Sequence, residues 1–186
     1  MHISKSILII ALPLILGCAQ GTTWVKPNSN LSQIRKIAVL PFQSNKAGLG
    51  DEIANRFTVA LLQLNRFEVI ESSTVLNRIR EKTGEPQRIE SATGESGPAG
   101  SPIDVVWFSE TLGVDAVMTG SIRRYGNWFV GKDMNIDLKL VTKSGSIVWT
   151  CNYKTDWAFT GLGTEGSLAS KIVKEAMKRF RNSYGL

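Results

Sequence analysis

The stretch RKIAVLPF, residues 35–42, is a short apolar run that follows two basic residues and has a proline near its end. A run of this length, bounded in this way, is typical of a strand buried on both faces of a sheet. The next segment, residues 48–64, places Ile53, Phe57 and Leu61 at helical spacing and carries acidic residues in its first turn, where the helix dipole favours them. A buried strand followed by an amphipathic helix predicts an α/β fold.

The same alternation of elements continues toward the C-terminus. The helix that opens at Pro102 is predicted to turn Ile103, Val106 and Trp107 inward, and residues 123–133, RRYGNWFVGKD, read as an irregular connection. We therefore expect a single mixed β-sheet flanked by helices, with parallel early strands and an antiparallel hairpin late in the chain. The predicted order is a strand at 67–70, helices after Ser72 and Pro102, strands at 114–122, 135–140 and 147–153, and a helix at 164–180.

The N-terminus has the layout of a secretory leader. One lysine precedes an apolar run from Ile7 to Leu16, which is about half the length that a membrane-spanning helix needs. The run ends in Leu-Gly-Cys, which resembles the lipobox of bacterial lipoproteins. The resemblance implies that residues 1–17 are removed and that Cys18 carries acyl chains; the alternative is a plain leader with a chance cysteine.

These predictions divide the chain into parts. Residues 18–33 are small and polar and suit a lipidated tether, so the folded domain is expected at 34–183. Residues 84–101 are rich in glycine and are expected to form a flexible loop within that domain. Ala19 stands where an aspartate would hold an enteric lipoprotein in the inner membrane, which favours the periplasmic face of the outer membrane.

Composition argues against several functional classes. The net charge of +6 comes from scattered residues, too few to indicate a nucleic-acid partner. The single histidine, His2, lies in the leader, which leaves no Ser-His or Cys-His arrangement and removes the usual zinc ligands. With Cys18 acylated, Cys151 is the one remaining thiol and is expected to pack in a strand. We expect no enzyme activity, cofactor, metal or small-molecule substrate.

One glycine-rich motif and one basic surface can be read in two ways. Residues 161–166, GLGTEG, fit a phosphate-binding loop, but the second strand and the acidic residue of a dinucleotide site do not follow, so a turn with a helix cap is the alternative.

The last helix carries a stripe of cations that either contacts an anionic surface or is simply solvated near the helix C-terminus. The stripe consists of Lys171, Lys174, Lys178 and Arg181.

A second candidate contact surface combines arginines with aromatic residues, which are over-represented at protein interfaces. Burial of Trp128 or Phe129 in the core is the alternative. The candidate residues for contact with a partner are Arg123, Arg124, Tyr125, Trp128 and Phe129.

The order of these segments resembles the CsgG family of bacterial lipoproteins. The matching pieces are RKIAVLPF, FEVIESSTVLNRI, LGVDAVMTGSI and IDLKLVTKSGSIVW, and the similarity covers roughly residues 34–180. The resemblance implies a periplasmic α/β domain like the one at the N-terminus of TolB. Lipoproteins that activate penicillin-binding proteins or that serve flagella look similar in architecture.

The functional hypothesis combines the lipobox with this resemblance. It is a non-enzymatic lipoprotein, anchored through Cys18, that assists assembly or secretion by binding other envelope proteins, with homo-oligomerisation as part of the expectation. The alternative is a subunit of an oligomeric curli-type secretion channel, which needs membrane hairpins of about 10 alternating residues per strand in addition to the core sheet. The hairpin around Gly145 is the single clear one, and the family pattern uses it in the core.

Overall fold

A computed structural model describes residues 21–83, 102–128, 131–155 and 165–186 of the chain. The predicted leader, Cys18, the predicted loop at 84–101 and the first part of the GLGTEG motif lie outside these described residues. Phe129 also lies outside them.

The described residues form strands and helices in the predicted alternation. Helix α1 begins after Gly48, whose φ of 76° is in the left-handed region that glycine adopts readily. The strands are β1 (Gly21–Val25), β2 (Lys36–Val39), β3 (Gln43–Ser44), β4 (Glu68–Ile70), β5 (Ala116–Trp128), β6 (Gly131–Thr142) and β7 (Ile147–Lys154). The helices are α1 (Leu49–Leu62), α2 (Ser72–Thr83), α3 (Pro102–Leu112) and α4 (Glu165–Tyr184), with a short 3-10 turn at Leu31–Gln33.

The strands form one mixed sheet, which confirms the predicted fold class. The strand order is β1-β7-β6-β5-β2-β4, and β3 pairs with β5 beyond the end of β2. Strand β2 runs parallel to β4 and β5, whereas β5, β6, β7 and β1 pair in antiparallel fashion. The parallel part and the antiparallel hairpin therefore lie where the sequence predicts them.

Helices cover both faces of the sheet. Ile37 and Val39 of β2 pack with α1 and α4, while Ala38 and Leu40 pack with α2 and α3. Because successive side chains of a strand point to opposite faces and both faces are covered, the chain must be apolar at every position from Ile37 to Leu40. This explains why RKIAVLPF shows a continuous apolar run and no alternation.

The predicted tether extends too far into the chain, because residues 21–25 are part of the fold. They form β1 and pair with β7 from Gly21 opposite Tyr153 to Val25 opposite Trp149. Leu31, also assigned to the tether, is buried. The strand escaped detection because it is an edge strand with mostly exposed residues, and its two apolar residues, Trp24 and Val25, are adjacent and show no alternation.

The irregular connection predicted at 123–133 is wrong for its described residues. They continue β5 and β6, with pairs from Arg124 opposite Asn135 to Trp128 opposite Gly131. A register shift between Ile122 and Arg124 interrupts the alternation at this point, which hides the strand in the sequence. The pairing of β7 with β6 ends at Asn135, so among the described residues the outer part of the β5–β6 hairpin extends past the end of β7.

Helix α3 also differs from the prediction in its orientation. Val105, Phe108 and Leu112 are buried, whereas Val106 and Trp107 are only partly buried. Four apolar residues in a row, Val105 to Phe108, leave the inward face undetermined by periodicity alone. The side chain of Ile103 lies outside the description.

Candidate functional site

Helix α4 has the two faces that its sequence predicts. Its apolar side packs against the sheet, where Ala169, Ile172, Ala176 and Phe180 are buried. The predicted basic stripe is on the solvent side, where its four members are exposed: Lys171, Lys174, Lys178 and Arg181. The role of the stripe in contacting a partner stays a prediction.

A groove of about 850 Å³ runs between α1 and α4. Three cations of the basic stripe line this groove, and the fourth, Lys171, lies outside it. The lining residues are Asn55, Arg56, Val59, Ala60 and Gln63 from α1 and its C-cap, and Ser170, Val173, Lys174, Met177, Lys178, Arg181, Asn182 and Leu186 from α4 and the residues after it.

The centre of the groove is apolar. Val59 is 54% exposed and Leu186 is 47% exposed, which makes them two of the most exposed large apolar residues in the described part of the chain. Val173 and Met177 are buried between the helices and form the floor below them. The exposed and buried apolar groups together form an apolar patch, and covering this patch with a partner removes exposed apolar surface from water.

The rim of the groove is positively charged. Within the described residues Lys174, Lys178 and Arg181 have no ion-pair partner, and no acidic side chain lines the groove. Arg56 is held in place, because Glu52 Oε1 lies 2.9 Å from its Nη2 and its Nη1 donates to Ser170 Oγ at 2.7 Å. The groove therefore combines an apolar floor with unneutralised cations.

The sequence predicted the α4 half of this groove and missed the α1 half. The available signal was Val59, an apolar residue at helical spacing from Asn55 and Gln63 on the polar side of α1. An isolated valine on a polar helix face is common at protein surfaces. Val59 therefore indicates a groove only when the position of α4 beside α1 is known.

The arginine and aromatic surface lies elsewhere. The Arg123 side chain is 67% exposed, and its Nε pairs with Asp137 Oδ2. The other oxygen of Asp137 accepts from Asn152 Nδ2 at 2.6 Å. Asp137 alternates with Ile136 and therefore lies on the sheet face opposite α4, so Arg123 and the basic stripe do not form one site.

The rest of that surface is described only in its backbone. Arg124, Tyr125 and Trp128 lie in β5, and their side chains are outside the description. The prediction that these residues contact a partner stays open, as does the alternative that Trp128 is buried.

Two acidic residues beside the parallel strands, Glu68 and Asp115, have structural partners. Glu68 pairs with Lys36 at 2.6 Å across β2 and β4. Asp115 Oδ2 accepts from the backbone N–H groups of Arg35 and Lys36, each at 3.0 Å. The Arg35 hydrogen bond is the largest of the causes that lower the pKa of Asp115, and Lys143 adds to it. These carboxylates hold strands together.

Cys151 is a core residue, as predicted. Its side chain is buried in β7, and removal from water raises the pKa of the thiol. Burial and a raised pKa both make the thiol unreactive.

Two further features concern the described residues only. No helix among residues 21–83, 102–112 and 165–186 is long and apolar enough to cross a membrane. The described side chains also contain no group of three His, Cys, Asp or Glu residues placed to hold a metal ion.

No protein-family model matches this chain, and no curated protein matches it in sequence. Membership of the CsgG family therefore stays a prediction. Solved structures do resemble it. The PelC dodecamer from Paraburkholderia phytofirmans has a TM-score of 0.54 at 14% identity, over 86% of this chain and 96% of that chain.

Two other structures are similar at lower scores. Lipoprotein GNA1162 from Neisseria meningitidis has a TM-score of 0.48 at 18% identity, over 77% of this chain and 99% of that chain. The C-terminal domain of LpoB from Salmonella enterica has a TM-score of 0.44 at 14% identity, over 65% of this chain and 82% of that one. Sequence identity this low supports a shared fold and nothing more. We conclude that this chain has the fold of PelC.

Proposed function

We propose that this chain is a non-enzymatic periplasmic lipoprotein, anchored in the outer membrane through acylated Cys18, that assists assembly or secretion by binding other envelope proteins. The observation that carries the proposal is the groove between α1 and α4, with its exposed apolar centre and three cations of α4 that have no ion-pair partner in the described part of the chain. Such a surface suits contact with a macromolecule and offers no acid-base pair for chemistry. The lipobox at Leu16 to Cys18 supports the anchor.

A second candidate is a subunit of an oligomeric envelope assembly, including the secretion channel considered from the sequence. The feature that favours it is the β5–β6 hairpin, which projects beyond β7 in a way that the sequence did not predict. The similar structure of PelC is described as a dodecamer. Reconstitution into planar bilayers distinguishes the two, because discrete conductance steps would establish a channel.

Photo-crosslinking in intact cells tests the leading proposal. A photoreactive amino acid at Val59, inside the groove, is expected to give a discrete adduct with another envelope protein. The matched control is Leu62, which is 48% exposed on the same helix but does not line the groove. Adducts from both positions alike, or from neither, would contradict a groove-directed contact.

The anchor has its own test. The Cys18→Ser form is expected to leave the outer-membrane fraction on density-gradient centrifugation, because a single acyl-bearing residue holds the chain there. A Cys18→Ser chain that is still processed and still sediments with outer membranes would rule out the lipid anchor.

A further inference from the structure

We propose that the groove between α1 and α4 binds an acidic amphipathic helix of a partner protein. The inference deepens the proposed function, since it assigns the contact to one surface and gives the partner a chemistry. It rests on the shape of the groove, its apolar floor and its charge.

The shape fits one helix. The groove follows α4 from Ser170 to Asn182, twelve residues along the helix, which correspond to about 18 Å at a rise of 1.5 Å per residue. Two packed helices create a furrow between their side-chain ridges, and a third helix seats naturally in such a furrow. A partner segment of about twelve residues, or three turns, would fill it.

The floor requires an apolar stripe on that partner. Val59 and Leu186 are the exposed apolar groups, and Met177 lies between the helices below them. A helix that places residues at i, i+3, i+4 and i+7 on this floor removes Val59 and Leu186 from water, whereas Met177 is already buried. The gain is roughly 25 cal/mol for each Å² of apolar surface that is covered.

The rim determines the charge of the partner. Lys174, Lys178 and Arg181 are exposed along α4, and Arg56 stands across from them on α1. Glutamate or aspartate residues beside the apolar stripe of a bound helix would face the three cations of α4, whereas Arg56 on the α1 side is already paired with Glu52. A basic helix would meet like charge along the same length, so the rim selects against it.

A bilayer matches this surface less well than a helix does. A flat anionic membrane can reach the exposed lysines of α4, but a planar surface does not follow the concave groove between two helices, so it covers Val59 and Leu186 less completely than a seated helix does. Lys171 is exposed on the same helix and outside the groove, so it would join a membrane contact and not a groove contact. A substitution of Lys171 therefore distinguishes a membrane contact from a bound helix.

The experiment measures peptide binding to the purified full chain by fluorescence anisotropy. The probe is a synthetic helical peptide of about four turns with leucines along one face and glutamates on both flanks. The second probe has the same leucines with lysines in place of the glutamates. The acidic peptide is expected to bind, and the lysine peptide is expected to bind at least about tenfold more weakly.

Matched variants locate the contact. The Lys174→Glu/Lys178→Glu double variant is expected to weaken binding of the acidic peptide about tenfold or more, because two attractions become two repulsions. Lys171→Glu makes the same kind of charge change outside the groove and is expected to leave binding nearly unchanged. Val59→Asp is expected to abolish binding, whereas Leu62→Asp is expected to preserve it.

Four results would overturn the inference. The first is equal binding of both peptides, and the second is that Lys171→Glu weakens binding of the acidic peptide as much as the double variant does. The third is binding of anionic vesicles but not of the acidic peptide. The fourth is self-association of the chain that the groove variants abolish, while the acidic peptide fails to bind. Because the assay uses purified protein, its result is independent of the anchor at Cys18. A failed peptide test and a failed localisation test are therefore distinguishable.

Discussion

Replacing Asp115 by asparagine is expected to lower the free energy of unfolding by about 1 kcal/mol at neutral pH. The carboxylate accepts two backbone N–H groups at 3.0 Å, from Arg35 and Lys36, at the point where β2 begins. Hydrogen bonds to a charged group contribute about 1.5–3 kcal/mol, and partial exposure of Asp115 and the remaining amide oxygen reduce the loss. Urea denaturation followed by circular dichroism measures the difference.

The same substitution has a predictable dependence on pH. The fold lowers the pKa of Asp115 below its ordinary value of 3.8, so its stabilising contribution is present above that value and is lost as the pH falls through the folded-state pKa. The wild-type chain and Asp115→Asn are therefore expected to converge in stability as the pH falls below 3.8.

Glu68→Gln provides the control for Asp115. It makes the same change from carboxylate to amide in a salt bridge whose glutamate side chain is 66% exposed, so its effect is expected to stay below about 0.5 kcal/mol. The reasoning fails if Asp115→Asn is as stable as the wild type at neutral pH, or if the two keep a constant difference down to pH 2.

Three other substitutions or labels test the packing. Gly50→Ala is expected to destabilise the chain by about 1–3 kcal/mol in thermal unfolding, because the added Cβ would lie 1.8 Å from the carbonyl oxygen of Phe42; an unchanged melting temperature would contradict it. Arg179→Ala removes a 2.9 Å hydrogen bond to the start of β1, so amide exchange in β1 should accelerate while exchange in β6 does not. In the Cys18→Ser form, Cys151 should resist iodoacetamide until urea unfolds the chain, and rapid labelling of the folded chain would disprove its burial.

The sequence predicted those parts of the fold whose side chains must be apolar on a regular period. The continuous run of β2 and the helical spacing of Ile53, Phe57 and Leu61 in α1 both follow from burial, and both were located correctly. The same reasoning found the two faces of α4. Periodicity is a reliable guide here because a wrong phase would expose these residues to water.

The parts that escaped prediction are held by the backbone or by neighbours distant in sequence. Strand β1 is mostly exposed and depends on pairing with β7, and the outer β5–β6 hairpin follows a register shift that breaks its pattern. The groove depends on α1 and α4 being brought side by side, although Val59 and Lys174 are far apart in the sequence. No local window contains that information.

The position of β1 has a mechanical consequence. Only Ala19 and Gln20 separate Cys18 from Gly21, so an anchor at Cys18 would sit within about 11 Å of the first residue of the sheet. A pull along β1 between the membrane and the folded body would then load its hydrogen bonds to β7 in shear, because these bonds run perpendicular to the strands, and Arg179 holds the Gly21 carbonyl with a further hydrogen bond. Force would then pass between the folded domain and its lipid through β1, with a linker of only two residues between them.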